Sequence, residues 1–362
     1  MDSLILKKLS LINFKNVQNK SFDFDNNINC LVGDNGIGKT NILDSIYHLA
    51  MTKSYFSSII SQSINHNSEF MVIDGNFKKG NKTENIVSSL KRGQKKTIKR
   101  NGKKYKKFSD HIGLIPIVMI SPYDRDLIQE GSANRRKFID NIISQNNKNY
   151  LNDLISYQKI LFQRNALLKY FKKNNNFDFK ILNVYNKQLF DLSIPIFKLR
   201  KDFFKNFVPV FKSRYSSISD NKETVNISYE SQLHFESLDN LLNNSTEKDR
   251  ILQYTSCGIH KDDMIFKIDE YPIKKYGSQG QQKTFLIALK LAQFDYLKIE
   301  SNSAPILLLD DIFDKLDNNR VKELIKLVNN EEFGQLFISD TDSNRTEKIL
   351  KEINSSFKMF RL

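Results

Sequence analysis

One ten-residue stretch carries residues whose types and spacing could bind a polyphosphate. Residues 31–40 read Leu-Val-Gly-Asp-Asn-Gly-Ile-Gly-Lys-Thr, which fits the pattern G-x-x-x-x-G-K-[ST]. In this pattern the glycines let backbone N–H groups turn toward phosphate, Lys39 supplies a charge for the β- and γ-phosphates, and the Thr40 hydroxyl can ligate Mg²⁺. The sequence therefore predicts a site for ATP and Mg²⁺, whose residues in this stretch are Gly33, Asp34, Asn35, Gly36, Ile37, Gly38, Lys39, Thr40 and Asn41.

The elements around this loop have the order that phosphate binding requires. Residues 28–32 are apolar apart from Asn29, which predicts a buried strand. After Thr40, apolar residues recur at 42, 43, 46, 49 and 50, which is helical spacing. A strand that leads through glycines into a helix directs the positive end of the helix dipole at the phosphates. The alternative interpretation is a chance glycine turn between a strand and a helix.

A second apolar segment ends in two carboxylates. Residues 304–311 read Ala-Pro-Ile-Leu-Leu-Leu-Asp-Asp, which predicts a buried strand whose end delivers Asp310 to the Mg²⁺ shell beside Thr40. Asp311 is then placed to polarise the attacking water, so Asp311 and Lys39 are the predicted catalytic residues. The alternative for Asp311 is a supporting residue that does not touch the water.

A second helix start is also suited to an anion. Residues 276–284 read Tyr-Gly-Ser-Gln-Gly-Gln-Gln-Lys-Thr and precede apolar positions at helical spacing. Ser278, Gly280 and Gln281 are the predicted nucleotide contacts here, because a small hydroxyl and a flexible backbone can present N–H groups to phosphate. Since the first loop already fills that role, we expect a composite site in which this turn engages nucleotide held by a second copy.

Composition and charge point to a globular protein with a polyanionic partner. The chain has 362 residues, 40% of them hydrophobic, and a formal net charge of +15; this allows one large or two ordinary domains. The excess of lysine favours nucleic acid or an anionic membrane, or it reflects the codon bias of an AT-rich genome. The only cysteines, Cys30 and Cys257, form no C-x-x-C pattern, and no signal peptide is evident, which is typical of a cytoplasmic protein.

The densest basic segment is residues 91–107, in which ten of 17 residues are Lys or Arg and none is acidic. Asn101-Gly102 within it predicts a tight hairpin turn. Such a hairpin could contact DNA phosphates, or it could be an edge pair whose lysines block aggregation. The predicted DNA-binding candidates are Lys95, Lys96, Lys99, Arg100, Lys103 and Lys104.

A second basic region is predicted to be an antiparallel helical hairpin. Residues 151–171 and the stripe that starts at 182 have helical spacing, with residues 172–177 as the loop and Pro195 as a kink or break. Residues 159–214 contain 13 basic and three acidic residues, so one face is a second candidate DNA surface or simply a solvated one. Residues 240–248 are polar and predicted to be a loop. His260, Asp262 and Asp263 are interpreted as a structural turn, with a metal cluster as the less favoured alternative.

These motifs resemble a known family. Two motifs are similar to those in the ABC-type ATPase heads of SMC and Rad50 proteins. They are Ser-x-Gly-Gln-Gln over residues 278–282 and Leu-Leu-Leu-Asp-Asp-x-x-x-x-Leu-Asp over residues 307–317. The similarity is strongest to the RecF family of bacterial DNA replication and repair proteins. It extends through further segments, namely residues 9–16, 121–124, 135–140, 258–263 and 335–342.

The resemblance implies an α/β fold, a P-loop ABC-type head of mixed sheets and helices with an inserted, mainly helical lobe. The head would comprise residues 1–120 and 251–362, and the insertion residues 121–250. Lys39 and Thr40 would be the Walker A residues, and Asp310 and Asp311 the Walker B residues. Ser278 would be the signature serine that reaches across a dimer. Residues 314–317 would form the D-loop.

The family likeness also implies a function. It implies an ATP-dependent homodimer that binds single-stranded and gapped duplex DNA, helps load RecA together with RecR and RecO in the SOS response, and hydrolyses ATP slowly with stimulation by DNA. Two other classes of protein are less favoured. A transporter-type ATPase would couple to a membrane partner, and the basic segments disfavour it. A nuclease would need a further carboxylate cluster, which the sequence does not offer.

Overall fold

The computed structural model describes residues 4–219, 223–311, 334–352 and 356–362. The chain folds into two compact units: unit 1 holds residues 1–125 and 283–362, and unit 2 holds residues 126–282. The strands are β1 (Leu4–Phe14), β2 (Val17–Asp23), β3 (Ile28–Val32), β4 (Phe70–Lys79), β5 (Lys82–Lys91), β6 (Thr97–Arg100), β7 (Lys103–Lys104), β8 (Ile117–Ile120), β9 (Val225–Glu230), β10 (Asp263–Ile268), β11 (Tyr271–Pro272), β12 (Ile306–Leu309), β13 (Leu336–Asp340) and β14 (Phe357–Arg361).

The helices are α1 (Lys39–Met51), α2 (Asp126–Gln129), α3 (Ser132–Asn146), α4 (Lys148–Lys173), α5 (Phe179–Ser219), α6 (Leu238–Asn244), α7 (Thr246–Leu252), α8 (Ile273–Tyr276), α9 (Gln279–Ser301) and α10 (Ser343–Glu352). Short 3₁₀ turns cover Ile60–Ser63, Phe108–Asp110, Pro122–Arg125, Gln232–His234 and Ile259–Lys261.

A five-stranded parallel sheet forms the centre of unit 1. Its order is β14-β3-β13-β12-β8. Every residue of β3, β8, β12 and β13 is buried, which explains why these strands read as continuous apolar runs rather than alternating ones. Because parallel strands end at the same edge, the residues that follow β3 and β12 and those at the end of β13 lie along one edge of the sheet. The predicted strand over residues 28–32 is confirmed.

A six-stranded antiparallel sheet forms the second layer of unit 1. Its order is β2-β1-β4-β5-β6-β7. Helix α1 packs against strands of both sheets, among them β4 and β13. It is therefore buried along most of its length: 11 of its 13 residues are buried. The predicted basic hairpin is β6–β7, whose turn residues Asn101 and Gly102 both have positive φ, 49° and 78°. This hairpin forms one edge of the sheet, which is also the position required by the alternative interpretation of an edge pair whose lysines block aggregation.

Unit 2 combines helices with a small sheet. Helices α4 and α5 form the predicted antiparallel hairpin, and β11-β10-β9 form a three-stranded sheet. Unit 2 runs past residue 250, the predicted end of the insertion. It does so because β10 pairs with β9 along its whole length, from Asp263 opposite Glu230 to Ile268 opposite Val225.

Two local predictions in this unit can be compared with the structure. Of the kink or break predicted at Pro195, the break does not occur: α5 is one continuous helix there, because Asp191, whose carbonyl loses its helical partner, is exposed and can bond to water. The prediction for residues 240–248 is wrong. Residues 240–248 are not a loop but form parts of α6 and α7. The Ser237 side chain caps α6 by accepting a hydrogen bond from the Asn240 N–H at 3.3 Å, and Leu242 is buried against the unit.

Candidate nucleotide-binding site

The loop between β3 and α1 has the backbone that a phosphate cradle needs. Gly38 has φ of 114° and stands directly before the helix, which begins without a side-chain cap. A Cβ at Gly38 would lie 2.9 Å from Asn16 Oδ1, so both the positive φ and the close approach require glycine. Residues 34–37 are exposed, which leaves the loop open to a ligand. The uncapped helix start provides N–H donors and a positive dipole end at this loop.

Lys39 lies inside the loop. Its side chain is 4% exposed, and its Nζ donates hydrogen bonds to the carbonyls of Gly33 at 2.7 Å and Asp34 at 3.0 Å. The ammonium therefore occupies the concave side of the loop, where a polyphosphate would be held. Phosphate oxygens are stronger acceptors than these carbonyls, so an incoming polyphosphate can take over the same donors.

Thr40 and Asp310 are brought together from positions 270 residues apart in the chain. Thr40 Oγ1 donates to Asp310 Oδ1 at 2.8 Å, at the edge where β12 ends. Asp310 is 3% exposed, and burial raises the pKa of its carboxyl to about 6. A buried carboxylate beside a hydroxyl is an oxygen donor set that fits Mg²⁺, which is usually bound by one or two carboxylates together with phosphates and water.

Ser339, on β13, holds the ends of two strands together at this point. Its hydroxyl donates to Asp310 Oδ1 at 2.9 Å and accepts from the Asp311 N–H at 2.9 Å. Asp311 has φ of 46°, a conformation that L-residues rarely adopt, and the bond from its N–H to Ser339 supports it. Ser339 is completely buried, so its hydroxyl is committed to these contacts. It was not among the predicted site residues.

Asn16, in the turn between β1 and β2, was also missed. Its Nδ2 donates to the Gly36 carbonyl at 2.9 Å, and its Oδ1 accepts from Asn41 Nδ2 at 2.8 Å. One side chain thus ties the loop to the first turn of α1. The neighbouring Lys15 makes an ion pair with the buried Asp44 of α1 at 2.6 Å, which fixes the same turn against the helix. The only sequence signal was that both residues fall in a segment resembling the RecF family.

The turn before α9 belongs to unit 2 and has a well-defined local structure. Ser278 is the N-cap: its Oγ accepts from the Gln281 N–H at 3.2 Å, and Gln281 Oε1 accepts from the Ser278 N–H at 2.6 Å. This reciprocal pair is a capping box. Gln281 also donates through Nε2 to Glu223 at 2.8 Å. Ser278 and Gln281 therefore have a structural role in starting α9, whereas Gly280 adds a position without a side chain to the first turn.

The six DNA-binding candidates differ in exposure and in whether their charged groups already contact other protein groups. Lys95, Lys99, Lys103 and Lys104 are exposed. Arg100 makes a two-pronged ion pair with Glu84, with Nε–Oε2 at 2.8 Å and Nη2–Oε1 at 2.6 Å, so its guanidinium is already engaged. Lys96 is half-buried: its Nζ donates to the Thr52 carbonyl, and burial lowers the pKa of the ammonium to about 8.

The basic helical hairpin is less basic at its surface than its sequence indicates. Arg164 is fully buried in an ion pair with Asp249 at 2.7 Å. Arg200 is buried between Asp140 at 2.9 Å and Asp262 at 2.7 Å. These two arginines stabilise the interior of unit 2 and are unavailable to DNA.

The residues around His260 form a structural turn, as interpreted from the sequence. His260 Nδ1 pairs with the Tyr157 hydroxyl at 3.0 Å and Nε2 with the Thr255 carbonyl at 3.1 Å. Asp263 pairs with Arg135 at 2.7 Å. Across residues 4–219, 223–311, 334–352 and 356–362, no group of three or more His, Cys, Asp or Glu is arranged to hold a metal ion. The predicted D-loop, residues 314–317, lies outside the described residues.

The fold and this site define the class of protein as an ABC-type ATPase head of the α/β class. The family model described as RecF/RecN/SMC N terminal domain matches residues 5–360. The DNA replication and repair protein RecF of Flavobacterium johnsoniae is 58% identical over 357 residues, 99% of each chain. The chain belongs to the RecF family.

Solved structures agree with this assignment. The recombination mediator protein RecF-ATP in the RecFOR pathway aligns with 94% of this chain and 93% of its own, at 31% identity and a TM-score of 0.88. The Smc head domain from Pyrococcus furiosus, solved with an extended coiled coil, aligns with 98% of this chain and 93% of its own, at 16% identity and a TM-score of 0.56. The second likeness concerns the fold alone. Within the described part of the chain no helix has the length and apolar character to cross a membrane.

Proposed function

We propose that this protein is an ATP-dependent DNA-binding protein of recombinational repair and replication restart. In this proposal ATP and Mg²⁺ drive formation of a homodimer in the cytoplasm, and the dimer binds single-stranded and gapped duplex DNA. Slow, DNA-stimulated hydrolysis then resets binding. RecR and RecO are the proposed protein partners in loading RecA. The observation that carries the proposal is the Thr40–Asp310 contact beside Lys39, because it joins the two segments that we assign to ATP and Mg²⁺.

The chemistry proposed for the site follows from these contacts. Lys39 would exchange the carbonyls of Gly33 and Asp34 for β- and γ-phosphate oxygens, while the N–H groups at the start of α1 bind the same phosphates. Thr40 and Asp310 would hold Mg²⁺, which would supply positive charge to stabilise the negative charge that develops on the phosphates during hydrolysis. Asp311 would orient the attacking water through its carboxylate.

The proposed dimer uses the turn before α9. The capping box leaves Ser278 exposed rather than enclosed, so its hydroxyl can face a second copy. We infer that each copy contributes the loop around Lys39 to one nucleotide and its Ser278 turn to the partner's nucleotide. The proposed head comprises residues 1–120 and 251–362, with residues 121–250 as the inserted lobe; this is a division by role, since residues 251–282 pack within unit 2.

Sedimentation velocity with and without ATP, in the presence of gapped DNA, tests the proposal. The wild-type protein is expected to dimerise and bind DNA only with ATP, and Lys39→Met to do neither, because it lacks the charge that holds the phosphates. Lys8→Met, which removes an exposed lysine of β1, is the matched control and is expected to behave as wild type. ATP-dependent DNA binding that persists in Lys39→Met contradicts the assignment of the loop.

A second variant addresses the composite site. Ser278→Arg is expected to bind ATP as a monomer and fail to dimerise, since the bulk would stand between the two copies. Because this change also removes the cap, Ser278→Ala controls for cap loss, which costs about 1 kcal/mol of helix stability. An ATP-induced dimer of Ser278→Arg refutes the composite site but leaves nucleotide binding at Lys39 intact.

A further inference from the structure

A groove of about 650 Å³ lies in unit 1 beside the basic hairpin. It is lined by Ile60, Ser61 and Ile64, by residues 90–96 at the end of β5 and in the segment that follows it, and by residues 104–106 and Phe108. Its volume falls within the range of about 300–1,000 Å³ of pockets that take whole small molecules. The groove is distinct from the loop around Lys39, since the two share no residue.

The lining of the groove combines cationic residues with apolar and aromatic ones. None of its described lining residues is Asp or Glu, whereas its cations are Lys91, Arg92, Lys95, Lys96, Lys104 and Lys106. Leu90 and Ile64 are buried apolar residues of its lining, and Ile60 is an apolar residue that remains 51% exposed. The aromatic residues Tyr105 and Phe108 are only half-buried, so part of each side chain is open to a ligand.

The cations are held differently at the groove. Arg92 is anchored, because its guanidinium donates to the carbonyls of Ser68 at 2.9 Å and Asn65 at 3.1 Å. Lys96 is tethered as well: its Nζ lies 5.0 Å from the centre of the Phe108 ring and bonds to a backbone carbonyl. Burial has removed water from this ammonium and lowered its pKa to about 8. An anion in the groove would therefore stabilise the charged form of Lys96.

We propose that this groove seats an unpaired nucleotide of single-stranded DNA, with its base against Tyr105 and Phe108 and its flanking phosphates on the exposed lysines. This inference rests on the proposed function and assigns the binding of single-stranded DNA to this groove. A base can cover the apolar and aromatic residues of the lining only if its face is free, and in a duplex both faces are stacked on neighbouring bases. Aromatic side chains inside a basic groove are the common means of holding single strands, because every base presents a π-face.

The proposal is tested on the full-length protein with ATP, using a 5′-labelled oligo(dT) strand and fluorescence anisotropy. The variant Lys104→Gln/Lys106→Gln removes two charges from the groove. Its matched control, Lys79→Gln/Lys82→Gln, removes two exposed charges from the β4–β5 turn, at the opposite end of β5. The groove variant is expected to lower the dependence of log K on log salt by about 1.4, because each phosphate contact on a single strand contributes about 0.7. The control is expected to leave that slope unchanged.

A second measurement reports on the base rather than on the phosphates. Replacing several thymidines by abasic sites keeps the backbone charge and is expected to weaken wild-type binding about fivefold or more, since stacking one base contributes at least that much. A strand carrying 5-iododeoxyuridine is expected to photocrosslink to Tyr105 or Phe108, as identified by mass spectrometry. With a blunt duplex, the groove variant and its control are expected to bind equally well.

The outcomes separate this inference from the proposed function. If wild type binds DNA with ATP but the groove variant keeps the full salt slope and abasic strands bind as tightly as oligo(dT), the groove assignment is refuted and the proposed function stands. Crosslinks that map only outside residues 104–108 refute it as well. If wild type fails to bind DNA with ATP at low salt, both are refuted.

Discussion

Ser339→Ala is the most informative single change at the candidate nucleotide-binding site. The Ser339 hydroxyl donates to Asp310 at 2.9 Å and accepts from the Asp311 N–H at 2.9 Å, and alanine can do neither. Asp310 keeps its bond from Thr40 but can rotate about it. Asp311 loses the contact that supports its unusual backbone conformation. The change is therefore expected to weaken Mg²⁺ binding without removing any proposed ligand.

The size of the effect follows from these contacts. A hydrogen bond to a charged group contributes about 1.5–3 kcal/mol, and a buried N–H left without a partner costs about 1–3 kcal/mol. Because Ser339 is completely buried, water has no direct route to replace its hydroxyl. We expect a loss of about 2 kcal/mol in the free energy of unfolding. Loss of a residue that orients a metal ligand typically costs about 10–100-fold in metal affinity, and the same range is expected here for Mg²⁺.

Ser339→Thr provides the control that separates stability from positioning. It keeps the hydroxyl but adds a methyl group at a buried site, which costs about 1–3 kcal/mol of stability. Both variants should thus unfold at lower urea concentration, but only Ser339→Ala should need more Mg²⁺ to bind a fluorescent ATP analogue. If the two variants lose Mg²⁺ affinity equally, or if alanine loses none, the hydroxyl does not orient Asp310 and the reasoning fails.

Two further predictions concern turnover and pH. Asp311→Asn is expected to slow phosphate release at least tenfold while the ATP-bound dimer persists in sedimentation, because general-base catalysis typically contributes about 10²–10⁴-fold; normal turnover would assign the water to another residue. Burial lowers the pKa of His48 to about 3 and of His260 to about 4, from an ordinary value of 6.5. Below pH 6.5 the unfolded chain takes up protons on these two histidines, whereas the folded chain does not. The free energy of unfolding is therefore highest above pH 6.5 and falls as pH drops toward 4. Each histidine contributes about 1.4 kcal/mol per pH unit in that window; urea unfolding across this range that shows no such loss contradicts the burial argument.

The parts of the site that are contiguous in sequence could be predicted, because their signal is local. The strand, the loop and the helix around Lys39 are encoded by neighbouring residues, and the strand before Asp310 is an uninterrupted apolar run. Asn16 and Ser339 could not be predicted in this way. Each is a single polar residue whose partners are distant in sequence. Asn16 meets the loop and α1 from the turn between β1 and β2, and Ser339 meets Asp310 only because β13 lies beside β12 in parallel register.

The feature of unit 2 that the sequence left open and the one that it misassigned have a related cause. Pro195 lowers helix propensity locally, yet eleven side chains of α5 are buried along one face, and tertiary packing outweighs the local cost. Residues 240–248 look polar, but one serine cap and two buried leucines, Leu238 and Leu242, are enough to form α6. The motif at Ser278 carries a similar ambiguity, because the same Ser-x-x-Gln spacing that resembles the family signature also builds a capping box.

The structure also favours one of the two basic regions as the first candidate for DNA. Residues 159–214 contain 13 basic and three acidic residues over 56 positions, and two of the basic residues, Arg164 and Arg200, are buried in ion pairs. Residues 91–107 contain ten basic residues, of which only Arg100 is paired with a carboxylate, Glu84, in the described contacts. Nine cations within 17 positions give a far denser field than the helical hairpin does. Because each phosphate contact adds to the salt dependence separately, DNA affinity should depend first on the β6–β7 hairpin and the groove beside it.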